Sequence, residues 1–127
     1  MTKKRKIMIV DDEDGFASMV KLNLEEKGPY EVLVESNALL AYNAAIRHRP
    51  DLIFLDIIMP EMEGPDVFFQ ITNDKEIKDI PVVFLTATVT REEVQNQQGV
   101  IGGRRFLAKP SSVDELIACI EHNIPYE

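Results

Sequence analysis

Five residues in this chain could do chemistry together: Asp11, Asp12, Asp56, Thr86 and Lys109. They follow the strand-like stretches Ile7-Met8-Ile9-Val10, Leu52-Ile53-Phe54-Leu55, Val82-Val83-Phe84-Leu85 and Arg105-Phe106-Leu107-Ala108, the first three wholly apolar. Carboxylates grouped in this way repel one another and raise each other's pKa. A hard divalent cation such as Mg²⁺ relieves that repulsion, taking carboxylate and backbone oxygens with water in its remaining positions. Such a cation also neutralises an incoming phosphoryl group. Lys109 adds a positive charge suited to phosphate oxygens, Thr86 adds a hydroxyl, and Asp56 is then placed to act as a nucleophile that forms an acyl phosphate.

The elements that must position these residues are legible in order. Short, wholly apolar runs fit strands covered on both faces, as in a parallel sheet. The first is Ile7–Val10, followed by a helix whose core face is read as Phe16, Met19, Val20 and Leu24, ended by Gly28-Pro29. Tyr30–Glu35 alternates, as an edge strand would. Ser36 and Asn37 can cap a second helix with Ala38, Tyr42, Ala45 and Ile46 inward. Arg47-His48-Arg49 suits the negative end of that helix, which explains His48 without a catalytic role.

The central strand runs to Asp56, and the loop Pro60–Pro65 follows with Gly64 free to take positive φ and Pro65 suited to a first helical turn. A short third helix carries Val67, Phe68 and Ile71. The fourth strand ends at Thr86, and Thr90-Arg91-Glu92-Glu93 opens a fourth helix that is poor in apolar residues. Gly102-Gly103 leads into the fifth strand, and Ser112-Val113-Asp114-Glu115 is a second capping box for the last helix. Five strands alternating with five helices make an α/β domain with a parallel sheet, whose strand ends share one edge where ligands bind.

Composition narrows the function. A length of 127 residues is one domain's worth, and a net charge of −8 argues against direct nucleic-acid binding by this domain. The basic cluster Lys3-Lys4-Arg5-Lys6 most simply keeps a strand edge soluble. Cys119 is alone in an apolar helical stretch and reads as a small buried hydrophobe. No signal peptide or membrane-length apolar run is visible, so a soluble cytoplasmic protein without a membrane partner is expected.

The segments IMIVDDE, LIFLDIIMPEMEGPD, VVFLTA and RRFLAKP resemble the receiver domain of bacterial two-component response regulators, over essentially the whole chain. The resemblance implies a flavodoxin-like, doubly wound sheet of strand order 2-1-3-4-5, and a single receiver domain over residues 1–127 without an output domain. It implies that Asp56 is the phosphoacceptor, charged by a sensor histidine kinase or phosphotransfer protein, and that the change is passed to a downstream protein or output domain. Asp12 matches a direct Mg²⁺ ligand, Asp11 one acting through water, and Ile58 a ligand through its backbone carbonyl, with Mn²⁺ an acceptable substitute. Lys109 matches the phosphate-binding lysine, its bond to Pro110 expected cis, and Thr86 the hydroxyl that moves toward the phosphoryl group, with Ala87 beside it. Phe106 matches the aromatic switch position, although an ordinary core aromatic fits the same residue.

Two features depart from the family pattern. Ser111 stands where an aromatic residue is common. Ile58 and Thr88 occupy the positions that tune water access, and the apolar Ile58 implies slow self-dephosphorylation. A flavodoxin would need a phosphate-cradling first loop, where Asp11-Asp12 would repel the ligand. An aspartyl-phosphate phosphatase would want a second acid where Ile58 stands. A non-phosphorylated interaction module leaves the set of acceptor-site residues unexplained. His48 and His122 lie in no constellation suited to a phosphodonor.

Overall fold

The computed structural model describes residues 4–87, 100–101, 104–109 and 112–124. In chain order the elements are β1 (Arg5–Val10), α1 (Asp14–Lys27), β2 (Tyr30–Glu35), α2 (Ala38–His48), β3 (Leu52–Asp56), α3 (Gly64–Thr72), β4 (Val82–Thr86), β5 (Val100–Ile101), β6 (Arg104–Ala108) and α4 (Val113–Asn123). The sheet order is β2-β1-β3-β4-β6-β5. The first five strands of that order are parallel, which is the flavodoxin-like arrangement implied by the sequence. The two-residue β5 adds an antiparallel edge, pairing Val100 with Arg105 and Ile101 with Arg104. Two residues are too few to leave a periodic signal, so this edge was not foreseen. The expected fourth helix, Thr88, Gly102-Gly103, Pro110 and Ser111 lie outside the described residues.

Side chains alternate across a strand, so a sheet covered on both sides needs apolar residues at every position. In β1, Ile7 and Ile9 join α1 and α4 on one face, with Ala17, Val20, Leu24, Leu116 and Ile120. Met8 and Val10 join α2 and α3 on the other, with Ala41, Ala45, Val67 and Ile71. β3 has helices on both sides and is buried along its whole length, including Asp56. The edge strand β2 is exposed at Glu31 and Val34.

The α1 core face is Ala17, Val20 and Leu24. Met19, read as inward from sequence, is 47% exposed, and Phe16 is only partly buried. Apolar residues stand on several sides of α1, so spacing alone could not identify the buried side. In α2 four alanines, Ala38, Ala41, Ala44 and Ala45, form the buried stripe, with Tyr42 and Ile46 packed at its margin. Asn37 caps this helix by accepting from the Leu39 amide, and Arg49 ends it in the left-handed conformation at φ 48°. The Tyr42 hydroxyl donates to Asp74, tying α2 to the segment that returns to β4. The α4 capping box forms as expected, with Ser112 and Glu115 exchanging hydrogen bonds of 3.1 Å. Cys119 on α4 is half-buried, its thiol pushed up to about 11 by burial.

Gly64 is needed for a reason other than the one expected. It does not take positive φ; it begins α3, and a Cβ there would sit 2.4 Å from the Asp56 carbonyl oxygen and 2.8 Å from the Ile57 Cα. Its amide donates to the Ile57 carbonyl at 2.7 Å. Helix α3 therefore starts in backbone contact with the end of β3.

Candidate functional site

The carboxyl ends of β1, β3 and β6 deliver the charged residues to one sheet edge. Val10 is in register with Leu55, Asp56 with Leu85, and Thr86 with Ala108. Asp11 therefore follows β1 beside Asp56, and Lys109 reaches in from the far side of β4. The Asp11 amide continues the ladder by donating to the Glu35 carbonyl at 3.1 Å. Asp11 is fully buried, Asp56 is 7% exposed, and Asp12 faces solvent.

Carboxylate oxygens from Asp11, Asp12 and Asp56 all lie within 4.8 Å of one another. Opposite them, the Lys109 ammonium is 2.7 Å from Asp11 Oδ2 and 3.8 Å from Asp56 Oδ2. Asp11 Oδ1 accepts from the Glu13 amide at 2.9 Å. Asp11 Oδ2 is buried and paired with the Lys109 ammonium. Three carboxylates converging on one sheet edge, two of them buried, make the oxygen-rich donor set a hard divalent cation prefers. The residues fit Mg²⁺.

Electrostatics follow from this packing. Burial first, and then the Asp11 charge, raise the Asp56 pKa to about 6, against the opposing pull of Lys109 and of a hydrogen bond from the Ile58 amide. For Lys109, burial alone would lower the pKa, but the contacts with Asp11, Glu13 and Asp56 outweigh it and the net shift is upward. The lysine stays charged, and Asp56 is largely ionised at neutral pH.

Of the residues expected at the site, Asp11, Asp12, Asp56 and Lys109 come together. The Ile58 N–H donates to the Asp56 carboxylate, a contact the sequence did not mark, and the residue is 62% exposed. Thr86 ends β4 next to the site, and its side chain lies outside the described residues, as does Pro110. Ala87 is exposed. Phe106 is partly buried, its ring 5.3 Å from Phe84, which in turn is 5.4 Å from Phe68. Two residues were missed: Glu13 Oε1 lies 3.0 Å from Lys109 Nζ, and the Phe16 ring lies 4.7 Å from it. The acidic run after β1 was visible, but nothing local marks which of its members meets a lysine 96 positions away.

Comparison with known proteins points the same way. The response regulator receiver domain family matches residues 7–121. The response regulator Rre1 of Synechocystis sp. is 34% identical over 123 residues, covering 96% of this chain and 52% of its own length. The polar-differentiation response regulator DivK of Brucella anthropi is 35% identical over 118 residues, covering 92% of this chain and 94% of its own. The chain spans about half the length of the first curated relatives it matches and nearly all of others. Among solved structures, the Vibrio cholerae chemotaxis protein CheY4 superposes with a TM-score of 0.80 at 27% identity, covering 95% of this chain and 99% of that one.

Proposed function

This chain belongs to the response regulator receiver family of two-component signalling, and from that premise we propose that it is a switch activated by phosphorylation of Asp56. The donor is a phosphohistidine on a sensor histidine kinase or phosphotransfer protein. A carboxylate oxygen of Asp56 forms the new O–P bond while the P–N bond breaks; the electron pair returns to the imidazole nitrogen, which is neutral after transfer from the protonated phosphoimidazole ring or takes a proton from solvent. Asp56 needs no general base, because most of it is already ionised above its pKa of about 6. Lys109, at 3.8 Å, is the charge available to the phosphoryl oxygens.

Asp11, Asp12 and Asp56, with the Ile58 carbonyl, would hold Mg²⁺ or Mn²⁺, which when bound supplies positive charge against the carboxylates and the phosphoryl oxygens. The end of β3 holds Asp56 more rigidly than a loop would, and Gly64 braces it from behind. Thr86 and Phe106 are proposed to couple the acyl phosphate to a changed partner-binding surface, read by a downstream protein or an output domain. The receiver unit itself is proposed to make no direct nucleic-acid contact, given the net charge of −8. No helix among the described residues is long and apolar enough to cross a membrane, and a cytoplasmic location is part of the proposal.

The observation that carries this reading is the buried Asp56 carboxylate between two further acids and the Lys109 ammonium. Acetyl phosphate or beryllofluoride with Mg²⁺ should add mass or shift spectra in the wild type and leave Asp56→Asn unchanged. A response that persists in Asp56→Asn, or is missing from the wild type, sinks it.

A further inference from the structure

Lys109 is the cation that phosphoryl transfer needs, yet its ammonium sits closest to other groups. Nζ is 2.7 Å from Asp11 Oδ2, 3.0 Å from Glu13 Oε1 and 3.8 Å from Asp56 Oδ2. The Phe16 ring lies on the same nitrogen, with its centroid at 4.7 Å, a distance at which a ring face attracts a cation. Glu13 and Phe16 both come from the start of α1, Glu13 as its N-cap residue. An N-cap side chain ordinarily accepts from the amides of the first turn. That of Glu13 makes no such bond, and its carboxylate goes to Lys109.

We propose that Glu13 is a positioning residue that parks Lys109 off the acceptor in the unphosphorylated protein and so slows phosphoryl uptake. The proposal rests on the reading of Asp56 as phosphoacceptor. The two pairs that hold the ammonium differ in how easily they part. Asp11 is fully buried, whereas the Glu13 side chain is 66% exposed, so water and salt screen it. Release from Glu13 is the easier step by which Lys109 reaches the phosphoryl oxygens, while Asp11 keeps the ammonium at the site. With acetyl phosphate as donor, the Asp56 oxygen bonds to phosphorus, the P–O bond to the acetyl group breaks, and acetate leaves with the electron pair. Lys109 neutralises charge in that step and transfers no proton.

Time courses of phosphorylation by acetyl phosphate at saturating Mg²⁺, followed by intact mass, test the idea. Glu13→Gln keeps the shape and removes the charge, and it should take up phosphate roughly two- to five-fold faster than wild type, the size an exposed ion pair supports. In a Lys109→Met background the same substitution should give no gain, since no ammonium remains to be released. A Glu13→Gln rate at or below wild type overturns the proposal. An equal gain in the Lys109→Met background also overturns it, because that pattern belongs to simple repulsion between Glu13 and the anionic donor. A wild type that gains no Asp56-dependent mass overturns the functional reading itself. A phosphorylated wild type with an unresponsive Glu13→Gln removes the parking alone.

Discussion

The site has a buried half and an exposed rim, and the two are built by different rules. Asp11 and Asp56 are fixed by the sheet and shut away from water, and the backbone of α3 presses against Asp56 through Gly64. Asp12, Glu13 and Ile58 stand around them in solvent. Burial makes the inner pair sensitive to every change of volume or charge, because neither a clash nor a like charge can relax into water. The rim has that freedom. The inner half is therefore bound up with geometry and stability, whereas changes on the rim carry little structural cost.

The largest expected effect strikes the inner half at Gly64. Gly64→Ala would place a Cβ 2.4 Å from the Asp56 carbonyl oxygen, a backbone atom that no rotamer change can move aside. A loss of ~3–4 kcal/mol in urea unfolding is expected; a loss within experimental error would show that the end of β3 yields more readily than its burial implies. Next comes the charge on Asp56 itself. With its pKa raised from 3.8 to about 6, the folded protein keeps this proton to higher pH than the unfolded chain. Stability thus falls as pH rises from about 4 to about 6 and levels off above, a cost of about 3 kcal/mol at neutral pH. In chelator, Asp56→Asn should be more stable than wild type at pH 7.5 and lose that advantage near pH 4. Parallel denaturation curves at the two pH values would expose an error of sign.

The rim predictions are smaller. Ile58→Asn supplies a polar group where the wild type has an exposed apolar one, so it should shorten the life of the acyl phosphate roughly two- to ten-fold, the worth of one hydrogen bond to an attacking water. Phosphate release after donor removal gives the lifetimes, and a wild-type lifetime of seconds would contradict the slow self-dephosphorylation inferred from Ile58. Smallest of all is the stability change in Glu13→Gln, expected within ~0.5 kcal/mol of wild type because the carboxylate is exposed. A larger loss in the same urea assay would move Glu13 from the rim to the inner half.

Sequence reasoning reached the inner half more fully than the rim, and the reason is physical. Doubly covered strands are apolar where both faces are packed, so the abrupt charge after Val10, Leu55 and Ala108 marks both where each strand ends and which residue it delivers. Asp11, Asp56 and Lys109 were legible for that reason. Rim contacts depend on how side chains cross space between elements, and Glu13 meeting Lys109 leaves no periodic trace. The same limit hid the outward turn of Met19, since spacing on α1 allowed several apolar sides. Gly64 stands out in the sequence, but the close backbone approach that needs it arises only when α3 folds back on the end of β3.

Cys119 brings one more consequence. With its thiol half-buried and pushed up to about 11 by burial, against the opposing pull of Asn123, it holds almost no thiolate at neutral pH. Alkylation should therefore be slow and should quicken when α4 lifts from the sheet, so a native residue can report on local opening. Labelling rates taken with and without acetyl phosphate would time how firmly that helix is docked in each state, without any engineered reporter.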